Sequence, residues 1–451
     1  MTTIKLTNTI THKKEIFKPI SPDHVGLYLC GPTVYDRPHI GNARSAIVFD
    51  VLYRLLKKSF PKVTYVRNVT DVDDKINIRS KELGIPIREL TETTLGCYHE
   101  DVGALGALPP DIEPRATEHI AEMITMSEAL IQKGHAYAAD GHVLFDVTSY
   151  GNYGKLSRKN QDDLIAGARI EIAPYKRNAS DFVLWKPSDD ETPGWDSPWG
   201  RGRPGWHIEC SAMSAKYLGE TFDIHGGGVD LVFPHHENEV AQSCCAHGTE
   251  RMARTWLHNG HLTVNGEKMS KSLGNFVTVQ DLLGDHDGEV IRLALLLTHY
   301  HQPLDWTDQQ LVSAKQMLDR FYGALDLVIE PLDAEAEPAG VIDALADDLN
   351  TPQALAILHE LANQLYKSPS VALASQFKNG AALLGILQRS PKEWFQGKAG
   401  ADELDIEMLI QQRNDAKKAK NFAAADQIRA DLLAKGVILL DTGAGTTWRL
   451  A

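Results

Sequence analysis

Val25 to Cys30 is an almost unbroken apolar run, Val-Gly-Leu-Tyr-Leu-Cys, cut off by Gly31-Pro32, and it predicts a buried strand. Ile47, Val48, Val51, Leu52, Leu55 and Leu56 then recur at steps of three and four, one face of a helix starting near Asn42. Lys62-Val-Thr-Tyr-Val-Arg67 alternates as a second strand. Strand, helix and strand in this order predict a parallel pair, and such sheets bind ligands beyond the carboxyl ends of their strands. Cys30 and Thr70 fall there.

From about Lys75 to Gly200 the pattern is mixed: helical near Thr117 to Lys133, a strand at Val143 to Val147, then a Pro/Gly/Trp-rich run from Pro187 to Pro204. This predicts an insertion. The nucleotide fold resumes with Thr221-Phe-Asp-Ile-His225 as a strand, Gly226-Gly-Gly228 as its turn, and a helix from Pro234 through about His247. Beyond Trp306 the chain turns helical, broken by a Glu/Pro/Ala-rich linker from Glu330 to Gly340. A polar stretch from Ser390 to Asp405 sets off a terminal unit in which Val437 to Leu440 and Thr446 to Trp448 predict short strands. The expected fold class is α/β: a Rossmann-like parallel-sheet catalytic domain with an insertion, then a helical bundle and a small mixed α/β C-terminal domain. The expected segments are 1–74 and 201–305 for the two catalytic halves, 75–200 for the insertion, 306–390 for the bundle and 391–451 for the terminal domain.

Forty-six basic against 60 acidic residues give a net charge of −14, which argues against broad adhesion to nucleic acid. Between Gln411 and Lys435 the sign reverses, with Arg413, Lys417, Lys418, Lys420, Arg429 and Lys435 against Asp415, Asp426 and Asp431. RNA contact would therefore be local and salt-sensitive. Five cysteines, an odd number in a long chain with no apolar leader, predict free thiols in a reducing compartment, the cytoplasm. The strongest apolar stretch, Val290 to Leu297, is far short of a membrane span, so a soluble protein is expected.

Pro234-His-His-Glu-Asn-Glu239 sets His235 and Glu239 four residues apart, the spacing that aligns two ligands on one helix face. With Cys30 and Cys210 they offer thiolate, imidazole and carboxylate to one zinc ion. Read singly, each cysteine is a buried core residue. The shared sheet edge favours ligation. The ligands are dispersed rather than paired as C-x-x-C, and a yielding carboxylate leaves a metal able to take a substrate thiol, which ionises on coordination. Serine could not follow.

Two phosphate-handling motifs flank this set: Pro38-His-Ile-Gly-Asn42 and Lys268-Met-Ser-Lys-Ser272. His39, Gly41 and Asn42 lie at a helix amino end, where unpaired N–H groups and the helix dipole favour anions. Lys268 and Lys271, with Gly274 beside them, suit a loop that closes over the β- and γ-phosphates. Gly226, Gly227 and Asp230 follow a strand, a setting for close backbone approach and a carboxylate on ribose hydroxyls. Trp206, just ahead of Cys210, reads as the wall of a small pocket or as a core residue. His207, His225 and His236 crowd the same edge and receive no catalytic role.

Together these residues resemble the bacterial cysteinyl-tRNA synthetases, class I aminoacyl-tRNA synthetases, from about Ile16 to Arg449. Leu29-Cys-Gly-Pro-Thr-Val-Tyr35, Arg67-Asn-Val-Thr-Asp-Val-Asp-Asp-Lys75, Gly205-Trp-His-Ile-Glu-Cys-Ser-Ala-Met213, Phe222-Asp-Ile-His-Gly-Gly-Gly228 and the Phe233-to-Glu239 segment are similar to family blocks. The resemblance implies one zinc on Cys30, Cys210, His235 and Glu239, a cysteine pocket including Thr70 and Trp206, and ATP contacts from the His39 segment and Lys271. It further implies activation of L-cysteine with ATP and Mg2+ to cysteinyl-adenylate, then transfer to the 3′ end of tRNA(Cys). The insertion would meet the acceptor end, and the bundle and terminal domain would hold the tRNA and read its anticodon. A monomer with no membrane partner is expected. Asn42 departs from the commonest signature, which has a second histidine there. Two alternatives stand beside this reading: a related ligase passing cysteine to an amino sugar, and a noncatalytic zinc-bearing RNA-binding relative.

Overall fold

Strand β1, His24–Leu29, has every residue from Val25 on buried, because it lies inside a parallel sheet rather than at its edge. The computed structural model describes residues 2–159, 173–270, 272–397, 401–442 and 445–450. After β1 come helix α1, Ile40–Ser59, and strand β2, Lys62–Arg67, and much later helix α2, Trp206–Leu218, strand β3, Phe222–Gly228, helix α3, Glu237–His247, and strand β4, Ala253–Asn259. The sheet runs β4-β3-β1-β2, all parallel. Leu29 is level with both Gly226 and Arg67, so Cys30 and Asn68 leave the sheet at one edge, beside Gly227, where β3 continues paired with β4.

Helix α1 begins two residues before Asn42, and its predicted face, Ile47 to Leu56, is buried. His39 is the N-cap. Its Nδ1 accepts from the N–H groups of Gly41 (3.1 Å) and Asn42 (3.3 Å), while Asn42 Oδ1 accepts from the His39 N–H (3.1 Å). This reciprocal capping box fixes where the helix starts.

Gly226, Gly227 and Gly228 are not a turn: they continue β3, and none has positive φ. They are glycines for lack of room. A Cβ at Gly226 would stand 2.0 Å from the Phe49 ring of α1, and one at Gly227 would stand 2.8 Å from the His236 ring. The helix expected from Pro234 is preceded by a wide turn, Val232–His236, and the α-helix proper starts at Glu237.

The region between β2 and α2 holds two helices that the sequence pattern did not reveal, Asp74–Leu83 and Ile87–Ala104, before the expected one at Ile120–Gln132. A four-stranded antiparallel sheet follows, Ala136–Ala139, His142–Phe145, Phe182–Pro187 and Gly202–Pro204. One hydrophobic cluster runs from Tyr28 and Val66 through Met123, Phe145 and Trp185 to Met213 and Trp256, so this region packs on the same core as the sheet. Past β4, Leu262–Val264 pairs in parallel with Leu304–Trp306 and antiparallel with Glu267–Lys268.

The chain divides into two compact units. The first comprises residues 1–314, 339–356 and 383–385, and the second 315–338, 357–382 and 386–451. Within the second, helices Ala401–Lys418 and Phe422–Ala434 pack on an antiparallel ribbon, Val437–Thr442 with Gly445–Leu450, around buried Ile410, Leu432, Leu439 and Trp448. Arg413 and Lys417, two of the six basic residues noted above, both bond Asp441, at 2.8 and 3.1 Å.

Candidate active site

β1 delivers Cys30, α2 delivers Cys210, and the turn before α3 and its first residues deliver His235 and Glu239. Cys30 Sγ lies 3.6 Å from Cys210 Sγ, 3.5 Å from His235 Nε2 and 3.5 Å from Glu239 Oε1. Cys210 Sγ lies 3.6 Å from His235 Nε2, and His235 Nε2 lies 3.0 Å from Glu239 Oε1. A zinc ion bound at about 2.3 Å by sulfur and about 2.0–2.2 Å by nitrogen or oxygen requires tetrahedron edges of roughly 3.3–3.8 Å. Four of the five measured edges fall within that range. The fifth is a hydrogen bond that must open by about 0.3 Å or more for both ligands to turn to a metal.

A second set, Cys30, His225, His236 and Glu239, also converges within 4.8 Å. It is the weaker candidate. His225 Nε2 is hydrogen-bonded to Glu239 Oε2 at 2.9 Å, His236 Nε2 stands 3.9 Å from Glu239 Oε1, and only one sulfur is on offer. These histidines form instead a layer behind the first set. His225 orients Glu239, and His207 Nδ1 meets His235 Nδ1 at 2.9 Å, which leaves Nε2 of His235 facing the sulfurs. His236 reaches Cys30 Sγ at 3.3 Å and passes at 2.7 Å to His258, whose other nitrogen meets Thr9 Oγ1 at 2.7 Å. Burial holds His207 and His258 down to about 3, so both rings are neutral.

The electrostatics favour a cation at Cys210 and Glu239, whereas burial, and after it Cys210, push the Cys30 thiol well above its usual range. Burial opposes ionisation of Cys210, yet the hydrogen bond from Cys30 and the nearby His235 bring its thiol down to about 6. Glu239 is held well below the carboxylate range despite burial, by His225 and His235. His235 is raised to about 10 against burial by Glu239 and Cys210. Orientation of a metal ligand by a hydrogen-bonded neighbour, the role His225 would have toward Glu239, is worth tenfold or more in metal affinity. His225→Ala is therefore expected to weaken zinc binding about 10–100-fold in chelator competition, and an unchanged affinity would remove His225 from the centre.

Trp206, which the sequence left between pocket wall and core, is not a core residue: it is 39% exposed and stacks on His235 with centroids 4.3 Å apart. Thr70 is buried and donates to Glu209 Oε2 at 2.8 Å. Asn68 Oδ1 accepts from the Gly31 N–H at 2.9 Å, holding the loop after Cys30 against the end of β2. Glu209, Asn68, Thr9 and the backing histidines were not singled out as functional from sequence; the crowding of His207, His225 and His236 near one edge was the available signal.

The two phosphate motifs are adjacent. The Ile40 N–H donates to Val277 O (3.1 Å) and the Val279 N–H to Pro38 O (3.1 Å), so the chain leaving the lysine loop is zipped to the His39 turn. Phe276 sets its ring edge-on to His39 at 5.4 Å. Because His39 Nδ1 accepts two backbone N–H groups, the proton of the neutral ring sits on Nε2. Lys268 ends the hairpin strand; Lys271 lies outside the described residues. Asp230 lies two residues past the end of β3, and a Cβ at Gly228 would meet its Oδ1 at 2.3 Å. A Cβ at Gly41 would meet the His39 ring at 2.9 Å.

A parallel nucleotide-type sheet with its two signatures meeting beyond the strand ends defines a class I aminoacyl-tRNA synthetase, and residues 16–316 match the tRNA synthetases class I (C) catalytic domain. The fold is shared with Mycobacterium tuberculosis methionyl-tRNA synthetase, solved with methionyl-adenylate: TM-score 0.56 and 18% identity, over 80% of this chain and 89% of that one. Residues 340–388 match the DALR domain and 403–449 the cysteinyl-tRNA ligase anticodon binding domain. The chain is 60% identical over 455 residues to the cysteine–tRNA ligase of Paramagnetospirillum magneticum, covering 98% of this chain and 99% of the relative. It is 58% identical over 459 residues to that of Rhodospirillum rubrum, covering 100% of each. The chain belongs to the cysteine–tRNA ligase family. Its members are enzymes, which sets aside the noncatalytic alternative, and the anticodon domain sets aside the amino-sugar ligase. Among the described residues no helix is long and apolar enough to cross a membrane.

Proposed function

We propose that this enzyme, in joining L-cysteine to tRNA(Cys), selects its amino acid by sulfur, at a zinc ion held by Cys30, Cys210, His235 and Glu239. The observation that carries this reading is the near-tetrahedral spacing of the four ligand atoms, 3.5–3.6 Å on four edges. When bound, zinc lowers the pKa of a coordinated thiol so that cysteine is held as the thiolate. Thr70 and Trp206 would bound the small pocket beside the metal. His39 Nε2–H and the N–H groups at the start of α1 would meet the α-phosphate of ATP, where charge grows as the substrate carboxylate attacks. Asn42 orients His39 through the capping box and has its amide N–H left to donate. Lys268 and Lys271 would close on the β- and γ-phosphates, which carry Mg2+, and Gly226, Gly227 and Asp230 would lie along the nucleoside. We read 1–74 and 201–305 as the catalytic halves, 75–200 as the acceptor-end insertion, 306–390 as a tRNA-holding bundle and 391–451 as the anticodon reader.

Cobalt in place of zinc tests the central claim. The thiolate-to-cobalt absorption of the cobalt-loaded protein is expected to grow on adding cysteine and to stay constant on adding serine. No change with saturating cysteine would show that the substrate sulfur does not reach the metal.

A further inference from the structure

Arg44 lies two residues beyond the His39 signature on α1 and is 1% exposed, yet no carboxylate is paired with it among the described residues. Its guanidinium instead donates to four backbone carbonyls. Nη1 reaches Gly260 O at 2.8 Å and His261 O at 2.7 Å; Nη2 reaches Tyr300 O at 3.2 Å and Gln302 O at 2.6 Å. Burial lowers the group to about 10, so it remains charged near neutral pH. Nε has no hydrogen-bond partner among the described residues, so this buried cation is held only by main-chain dipoles at its two Nη atoms, which is costly and commits the side chain rigidly.

The four carbonyls belong to the chain that leads into and supports the lysine loop. Gly260 and His261 connect β4 to Leu262–Val264, the strand paired with Glu267–Lys268 at the loop's entrance. Tyr300 and Gln302 belong to the turn before Leu304–Trp306, which pairs with that strand on its other side. The packing is tight, since a Cβ at Gly260 would stand 2.6 Å from Gln302 O. Next to Arg44, Ser45 Oγ donates to Asn259 Oδ1 at 2.8 Å, a second tie between the same elements. At the loop's exit the chain is already zipped to the His39 turn at Pro38–Ile40.

We infer that Arg44 is a positioning residue for adenylate formation, a rigid clamp that sets the register between the helix bearing His39 and the hairpin bearing the lysine loop. The chain on either side of the loop is thereby tied to one helix and its cap. The residues that would bind cysteine, Cys30, Thr70 and those on α2 and α3, make no hydrogen bond to Arg44 or Ser45 among the described residues. The inference rests on the adenylate-site reading above, and its readout is separate from that of the cobalt experiment.

Two variants of the zinc-loaded full chain test it in cysteine-dependent ATP–pyrophosphate exchange. Arg44→Lys keeps the charge but cannot span four carbonyls, and its kcat is expected to fall at least ~10-fold. Ser45→Ala, a mild change that keeps the fold, is expected to lower kcat about threefold. In both, zinc content and the Kd for cysteine by calorimetry are expected to stay within about twofold of the parent. Normal kcat in Ser45→Ala, or cysteine affinity falling in step with kcat in either variant, would overturn the assignment and leave only a packing role. Should Arg44→Lys fail to accumulate as folded protein, the Ser45→Ala comparison decides alone.

Discussion

Cys210→Ser is expected to lower kcat/KM for cysteine-dependent ATP–pyrophosphate exchange by about 10⁴-fold, roughly 5.5 kcal/mol of transition-state stabilisation, and to leave the protein with substoichiometric zinc. The change is nearly isosteric, so it opens almost no cavity in a site where Cys210 is 2% exposed. What it removes is a thiolate: the Cys210 thiol sits at about 6, whereas an alcohol does not ionise near neutral pH. His235 and Glu239 would then face one remaining sulfur, and their own contact at 3.0 Å, competing with ligation, would prevail. Metal analysis, circular dichroism and exchange kinetics on one preparation separate lost ligation from lost fold. Full zinc occupancy with activity within tenfold of the parent would exclude Cys210 from the ligand set.

The second large effect is in substrate choice. The zinc-loaded enzyme is expected to prefer cysteine over serine by at least ~10⁴ in kcat/KM, the order reached where a site demands a bond that the competitor cannot make. Size alone would give far less, because a pocket that merely fits a side chain rejects a near-isostere by only about 10²-fold. The charge arrangement bears on the same choice: Cys210 and Glu239 are both shifted toward their anions in a buried site, so a substrate thiolate would need a metal cation beside it. A ratio near 10² would place discrimination in pocket shape and not at sulfur.

Much of this was legible in the sequence because period and chemistry agreed. The unbroken apolar run of β1 and the three-and-four spacing along α1 predicted the first parallel unit, and the i, i+4 pair His235 and Glu239 does meet. The triple glycine was misread. A turn and a crowded strand both demand the absence of a side chain, and only the Phe49 and His236 rings, distant in sequence, distinguish them. The helices Asp74–Leu83 and Ile87–Ala104 escaped notice because their apolar faces are sparse, with three buried residues on the first. The backing histidines were equally invisible as partners, since α2, β3, the wide turn and β4 each supply one, and their hydrogen bonds exist only once the sheet is closed. Arg44 carries no pattern signal: its partners are main-chain oxygens, which any residue at Gly260, His261, Tyr300 and Gln302 would present.

Asn42 answers the question raised by its departure from the commoner histidine. Its Oδ1 closes the cap on the His39 N–H, and an imidazole Nδ1, one bond beyond Cγ just as Oδ1 is, can accept the same hydrogen. Either residue type can thus supply the same cap at that helix start. A histidine at position 42 would be expected to keep the ring at position 39 anchored with no change required elsewhere.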